Sequence, residues 1–274
     1  MRLDIDGRNC ELESGRSILD AVKKEGLDSI MLSDRPLAAQ IGGEVFNLRF
    51  TPKKDTQIHL LRYGEDMGRR VYERTLQFLF ILAMRKEFPR ARVCVRYSLG
   101  PGLFITVDGM EEPFNEEAAL KVETEMRRLV RLKLPLERRR ISIKEALSFY
   151  EQDGQADKAK LLKWRRFSYF DVYQIDGYMD YFYGEMAPDT SYADVFRVKY
   201  VHDGAVVLLM PRNDAPDVPS DYVDLPKLHA VFHQSDEWGK LMECATVNDL
   251  NTHIQNGTIR ELVRINEALH DRGY

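Results

Sequence analysis

Positions 71 to 88 place apolar side chains at helical spacing (Val71, Leu76, Leu79, Phe80, Ala83, Met84) and stop at Pro89, whereas the apolar runs before position 62 are short and alternate. Alternation with a period of two puts side chains on opposite faces of a strand, and a period of 3.6 gathers them on one face of a helix. A chain that changes from one period to the other without repeating strand–helix–strand units is neither all-β nor a parallel doubly wound sheet. The expected class is α+β, with antiparallel strands and a few long helices.

The opening segment predicts a hairpin, Arg2–Asp6 returning over Cys10–Glu13 around the turn Asp6-Gly7-Arg8-Asn9. Ser17 is placed to cap a short helix, ILDAVKKEG, that Gly26 stops. Strands over 37–41, 45–50 and 57–61 complete a small α+β module, and the charged, glycine-bearing stretch 62–70 predicts a linker. Beyond it, helices are expected over 71–88, 116–132 (capped by Asn115), 143–152, 157–163, 225–242 and 258–271. Strands are expected over 93–95, 103–107, 196–200 and 205–210, the last two as a hairpin around His202-Asp203-Gly204, with a loop over 211–219.

With 40 basic and 44 acidic residues and a net charge of −4, no global field draws the chain to nucleic acid. The basic residues are nonetheless clustered. One run holds Arg127, Arg128, Arg131, Lys133, Arg138, Arg139 and Arg140, and another holds Lys158, Lys160, Lys163, Arg165 and Arg166. The second interleaves with Trp164, Phe167, Tyr169 and Phe170, the combination that single-stranded nucleic acids meet on proteins, and a solvated helix face is the alternative.

Three separated cysteines, Cys10, Cys94 and Cys244, fit a reducing cytosol better than a disulfide framework, and no apolar run is long enough for a membrane span. A cytoplasmic chain without membrane contact is expected. His229 and His233 stand four apart, but they share their helix with an apolar stripe and read as surface histidines rather than metal ligands. Gly100-Pro101-Gly102 lacks the third glycine of a dinucleotide loop, and no Walker motif or Gly-x-Ser-x-Gly elbow occurs.

The densest feature is Phe167–Tyr183, with eight Phe or Tyr in seventeen positions. It runs into Gly184-Glu185-Met186-Ala187-Pro188, a turn between bulky side chains of the kind that lines a pocket.

LESGRSILDAVKK and LAAQIGGEVFNLRFTPKKDTQIHLL resemble a TGS domain, the small β-grasp module of threonyl-tRNA synthetases and their relatives. VYERTLQFLFILAMRKEFPRARV, SLGPGLFITV, DKAKLLKWRRFSYFDVYQIDGYMDYFYGEMAP and LVRINEALHDRGY resemble the second additional domain of threonyl- and alanyl-tRNA synthetases. The resemblance is closer to the version fused ahead of a uridine kinase-like domain. It implies a β-grasp domain over residues 1–62, an editing-like domain over 63–274 and a kinase domain after 274. ATP and Mg²⁺ would belong to that kinase domain, and this chain would hold no cofactor of its own.

Such editing domains carry His-x-x-x-His on a helix and Cys-x-x-x-His after a strand. Here the first pair falls on Arg74 and Phe78 and the second on Phe182 and Met186. Neither phenyl ring nor a guanidinium is a zinc ligand, so neither a metal site nor catalytic residues are expected. The resemblance therefore implies an accessory region that binds tRNA, another RNA or a nucleotide-like molecule. Arg74, Gln77, Phe78, Asp180, Tyr181, Phe182, Tyr183, Glu185 and Met186 would line its cleft, and Lys158 to Arg166 would approach RNA. Two alternatives stand beside it: a hydrolase with Glu185 or Asp180 as general base and Tyr183 or Arg74 at the oxyanion, and a scaffold regulating the kinase.

Overall fold

The computed structural model describes residues 1–202 and 204–272, so Asp203 of the expected hairpin turn and Gly273-Tyr274 at the end of LVRINEALHDRGY lie outside the described residues. The chain forms two compact units, Met1–Arg138 with Val172–Val223, and Arg139–Asp171 with Asp224–Tyr274. The fold is α+β with several antiparallel sheets.

The first unit opens with β1 (Arg2–Ile5) and β2 (Arg8–Glu11), then α1 (Ile18–Lys24), β3 (Ala38–Ile41), β4 (Glu44–Phe46) and β5 (Thr56–Leu61). The strands lie in the order β2-β1-β5-β3-β4, with β1 parallel to β5 and the other pairs antiparallel. α1 starts where the sequence predicts: the Ser17 hydroxyl accepts from the Asp20 amide, and the Asp20 carboxylate accepts from the Ser17 amide in return. Strand alternation divides the sheet's apolar side chains between two cores. Ala39 and Leu60 join Leu3, Ile5, Ile18 and Val22 in one, while Ala38 and Leu61 join the larger core around the next helix.

That helix is α2 (Asp66–Glu87). The linker expected over 62–70 is instead a tight turn followed by the first helical turn. The Glu65 amide donates to Arg62 O, and a Cβ on Gly68 would stand only 1.9 Å from that carbonyl oxygen, so only glycine fits there. β6 (Arg92–Leu99), β7 (Gly102–Asp108), β11 (Arg197–His202) and β12 (Ala205–Leu209) make an antiparallel sheet in the order β11-β12-β7-β6. α3 (Glu116–Leu132), capped by Asn115 as predicted, packs on α2 and β11. Leu76 and Leu79 of α2, Val122 and Met126 of α3, and Ile105 and Val206 of the sheet are all buried in this core. Residues 211–219 are not a plain loop: Pro211–Arg212 and Ala215–Pro219 pair as a ribbon, β13 and β14.

The chain leaves this unit along β8 (Glu137–Ser142), a strand not expected from its basic sequence, and returns along β9 (Tyr169–Ile175) into β10 (Tyr178–Asp180). β10 pairs antiparallel with β9, Asp180 opposite Tyr173. The second unit holds α4 (Ile143–Gln152), α5 (Ala156–Leu162), α6 (Pro226–Leu241), α7 (Val247–Asn256) and α8 (Ile259–Arg272). α7, also unexpected, is closed by a Thr246–Asp249 capping box and by Gly257 in the left-handed region. α6 and α7 contain no buried residue. Among the described residues no helix is long and apolar enough to cross a membrane.

Candidate functional site

β9, β10 and the segment 181–189 bring the end of the aromatic block onto α2. Phe78 lies fully buried on the helix, its ring centroid 5.3 Å from Phe182 and 5.9 Å from Tyr178. Met186 is equally buried. One helical turn earlier, Arg74 Nε donates to the Glu185 carbonyl oxygen at 2.9 Å. The left-handed Gly184 (φ +97°) makes room for that guanidinium, because a Cβ there would stand 2.8 Å from Arg74 Nη1. The four positions expected from the two motifs, Arg74, Phe78, Phe182 and Met186, thus converge. They meet as a guanidinium, two phenyl rings and a thioether.

Glu185 shares the site, its side chain only 12% exposed. Its Oε1 accepts from Arg138 Nη1, and its Oε2 accepts from the Tyr173 hydroxyl at 2.9 Å. The same hydroxyl accepts from the Met186 amide at 3.2 Å. Burial first, and then the negative charge of Glu185, push the Tyr173 phenol far above its ordinary value, so it remains a donor. Burial draws the Arg74 guanidinium down, against the opposing pull of Tyr173, Glu185 and Glu73. Next along the segment, the Ala187 amide donates to Thr75 Oγ1 at 2.9 Å. Asn47 Nδ2 reaches the Met186 carbonyl at 2.8 Å, and Arg49 Nε reaches that of Pro188 at 2.9 Å. The loop is therefore pinned from α2, β9 and the N-terminal sheet together.

The remaining expected residues lie around this knot. Gln77 Nε2 donates to Glu73 on the same helix, at 3.1 Å. Asp180 is buried, accepting from the Tyr181 amide at 2.7 Å and the Tyr178 hydroxyl at 3.3 Å. Tyr181 and Tyr183 meet edge to face at 4.7 Å, and Tyr183 is 77% exposed. Sequence reasoning missed Tyr173, Arg138, Thr75, Asn47 and Arg49. Tyr173 and Arg138 belong to features that the sequence does mark, the aromatic block and the basic run. Thr75 and Asn47 carried no signal.

Chemically, the site offers hydrogen-bonded backbone and an apolar floor. The Glu185 carboxylate is engaged at both oxygens, and a guanidinium, two phenyl rings and a thioether do not make a zinc donor set.

In the second unit the basic run begins within α5 and continues past its C-terminal cap, Lys163. Arg140 stacks on Tyr169 at 4.2 Å and is paired with Asp171, Arg165 stacks on Phe170 at 4.7 Å, and Lys158 lies 5.7 Å from the Tyr150 ring. Lys160, Lys163 and Arg166 are exposed, and among the described residues no acid pairs with them. Phe167 is 62% exposed, 5.9 Å from Tyr169. The His229 and His233 rings stand 6.4 Å apart on α6, and among the described residues no group of three His, Cys, Asp or Glu is arranged to hold a metal.

No family model matches the chain. Threonine–tRNA ligases are similar to it. That of Clostridium kluyveri is 25% identical over 194 residues, 70% of this chain and 30% of the ligase. That of Carboxydothermus hydrogenoformans is 27% identical over 175 residues, 61% of this chain and 26% of the ligase. For Acetivibrio thermocellus the values are 28% over 160 residues, 58% and 24%. This chain spans 30% or less of the length of each of these ligases, and it is related to a region of them.

Proposed function

We propose that this chain is the accessory, RNA-binding region of a threonine–tRNA ligase-related protein, in which the editing-type pocket has become packing. Its parts would be a TGS-like β-grasp module over residues 1–62 and an editing-like region beyond. A uridine kinase-like domain, carrying the ATP and Mg²⁺ chemistry, would follow in the same polypeptide. One observation supports the reading: Arg74, Phe78, Phe182 and Met186, the positions that the resemblance assigns to the editing motifs, stand together, with Phe78 and Met186 fully buried and Arg74 bound to backbone. The similarity to ligases of tRNA supports tRNA as the partner, and the exposed Lys160, Lys163 and Arg166 beside Phe167 supply charge and a stacking surface.

Two assays on the purified chain test this. Binding of deacylated tRNA should weaken steeply as salt rises, since each neutralised phosphate releases a counterion; no binding at low ionic strength sinks the RNA reading. Seryl-tRNA should be hydrolysed no faster with the protein than in buffer, with or without zinc. Turnover would instead establish a hydrolase with a rebuilt site.

A further inference from the structure

His59, near the end of β5, joins three segments that the proposed RNA-binding role does not use. Its Nδ1 stands 2.9 Å from Asp6 Oδ1 in the β1–β2 turn, and its Nε2 stands 2.7 Å from Glu65 Oε2, the residue that precedes the first turn of α2. A neutral imidazole has one N–H and one lone pair, while an ionised carboxylate only accepts. Both contacts are therefore hydrogen bonds together only when the ring is an imidazolium. Removing the proton turns one of them into a lone pair facing a carboxylate.

The carboxylates are fixed independently of the ring. Asp6 also accepts from the Leu60 amide and from Arg62 Nη1, both at 3.1 Å, and Glu65 Oε1 accepts from the Arg62 amide at 3.0 Å. The charged groups facing His59 are thus Asp6 from the turn and Glu65 from the approach to α2, with Arg62 balancing Asp6. Gln40 and Gln57, beside it on the sheet, are neutral. Glu65 matters to α2 because its carbonyl accepts the Arg69 amide at 2.8 Å, the first rung of the helix.

We propose that His59 is a proton-operated clasp. As imidazolium it ties the start of α2 to the N-terminal sheet, and on losing its proton it releases that end of the helix.

The direction of titration agrees. The hydrogen bond to Glu65 and then that to Asp6 hold the imidazole above its ordinary value, outweighing its partial burial. A group raised in the folded state stabilises fully below its unfolded value, about 6.5 for histidine, and that contribution is lost as pH rises through the folded value. Burial pushes Asp6 up, but hydrogen bonds from Leu60, His59 and Arg62 outweigh it and leave the carboxyl below its ordinary range. Asp6 therefore loses its contribution only in acid, outside this window.

Following the His59 ring protons by NMR between about pH 6 and pH 9, with exchange protection of the Arg69 amide read in parallel, tests the clasp. The ring should titrate above the ordinary histidine range. Arg69 protection should fall across the same transition as the ring loses its proton. In His59→Gln, which keeps one donor and one acceptor, protection should be lower and flat over the same range. A ring titrating at or below about 6.5, or Arg69 protection with the same pH profile in both proteins, overturns the proposal.

Discussion

In the first unit, Arg74, Arg138, Tyr173, Phe78 and Phe182 meet and spend their contacts on one another and on the segment that follows them. In the second, Lys160, Lys163, Arg166, Phe167 and Tyr169 are exposed and leave charge and ring faces at the surface. Both regions mix basic and aromatic residues, so composition does not separate them. Engagement does: the half-buried Arg74 is bound to a backbone carbonyl and Arg138 to the enclosed Glu185 carboxylate, whereas an exposed ammonium is satisfied by water and remains free for a phosphate. The first region therefore sets the fold around residues 184–188, and the second leaves charge and ring faces open to a partner.

The largest test of this contrast is Phe78→Ala. Removing a fully buried phenyl ring that packs on Phe182 and Tyr178 should cost about 3–5 kcal/mol, read as a lower midpoint in urea. A loss below about 1 kcal/mol would mean the ring lines an open cleft instead.

Tyr173→Phe should cost about 1–3 kcal/mol, because the Met186 amide loses its acceptor and Glu185 loses a donor while both remain enclosed. The amide of Met186 should also lose exchange protection, which a general destabilisation would not single out.

The smallest effect on stability is expected where the effect on binding is greatest. Replacing Lys160, Lys163 and Arg166 together with alanine should leave stability within about 0.5 kcal/mol, since none is buried. It should reduce the slope of log affinity for tRNA against log salt by about 2 to 3, near one for each phosphate left without its cation. An unchanged slope moves the RNA surface away from α5.

Much of the secondary structure was legible because its signals are local. Asn115 with acids behind it marked α3 from Glu116 to Leu132, and Ser17 with Asp20 marked α1. β8 was missed because Glu137-Arg138-Arg139-Arg140 has no strand pattern of its own; what makes it a strand is its setting, not propensity. α7 has both a capping box and a stop glycine, yet its ten residues bury nothing and present a weak signal. The linker at 62–70 misled because glycine there meant close packing rather than freedom: Gly68 sits against Arg62 O.

At the candidate site, the chemistry of Arg74, Phe78, Phe182 and Met186 was legible in the sequence, since a guanidinium, two phenyl rings and a thioether are not a zinc donor set whatever the fold. The sequence alone also determined where α1 and α3 begin and the α+β class, because caps and periodicity act within a few residues. Only the tertiary structure decided that Glu185 meets Arg138 and Tyr173, that Thr75 holds Ala187, and that His59 stands between Asp6 and Glu65. Those partners lie on different elements, and whether a carboxylate is clamped or free depends on what long-range packing places within hydrogen-bond reach.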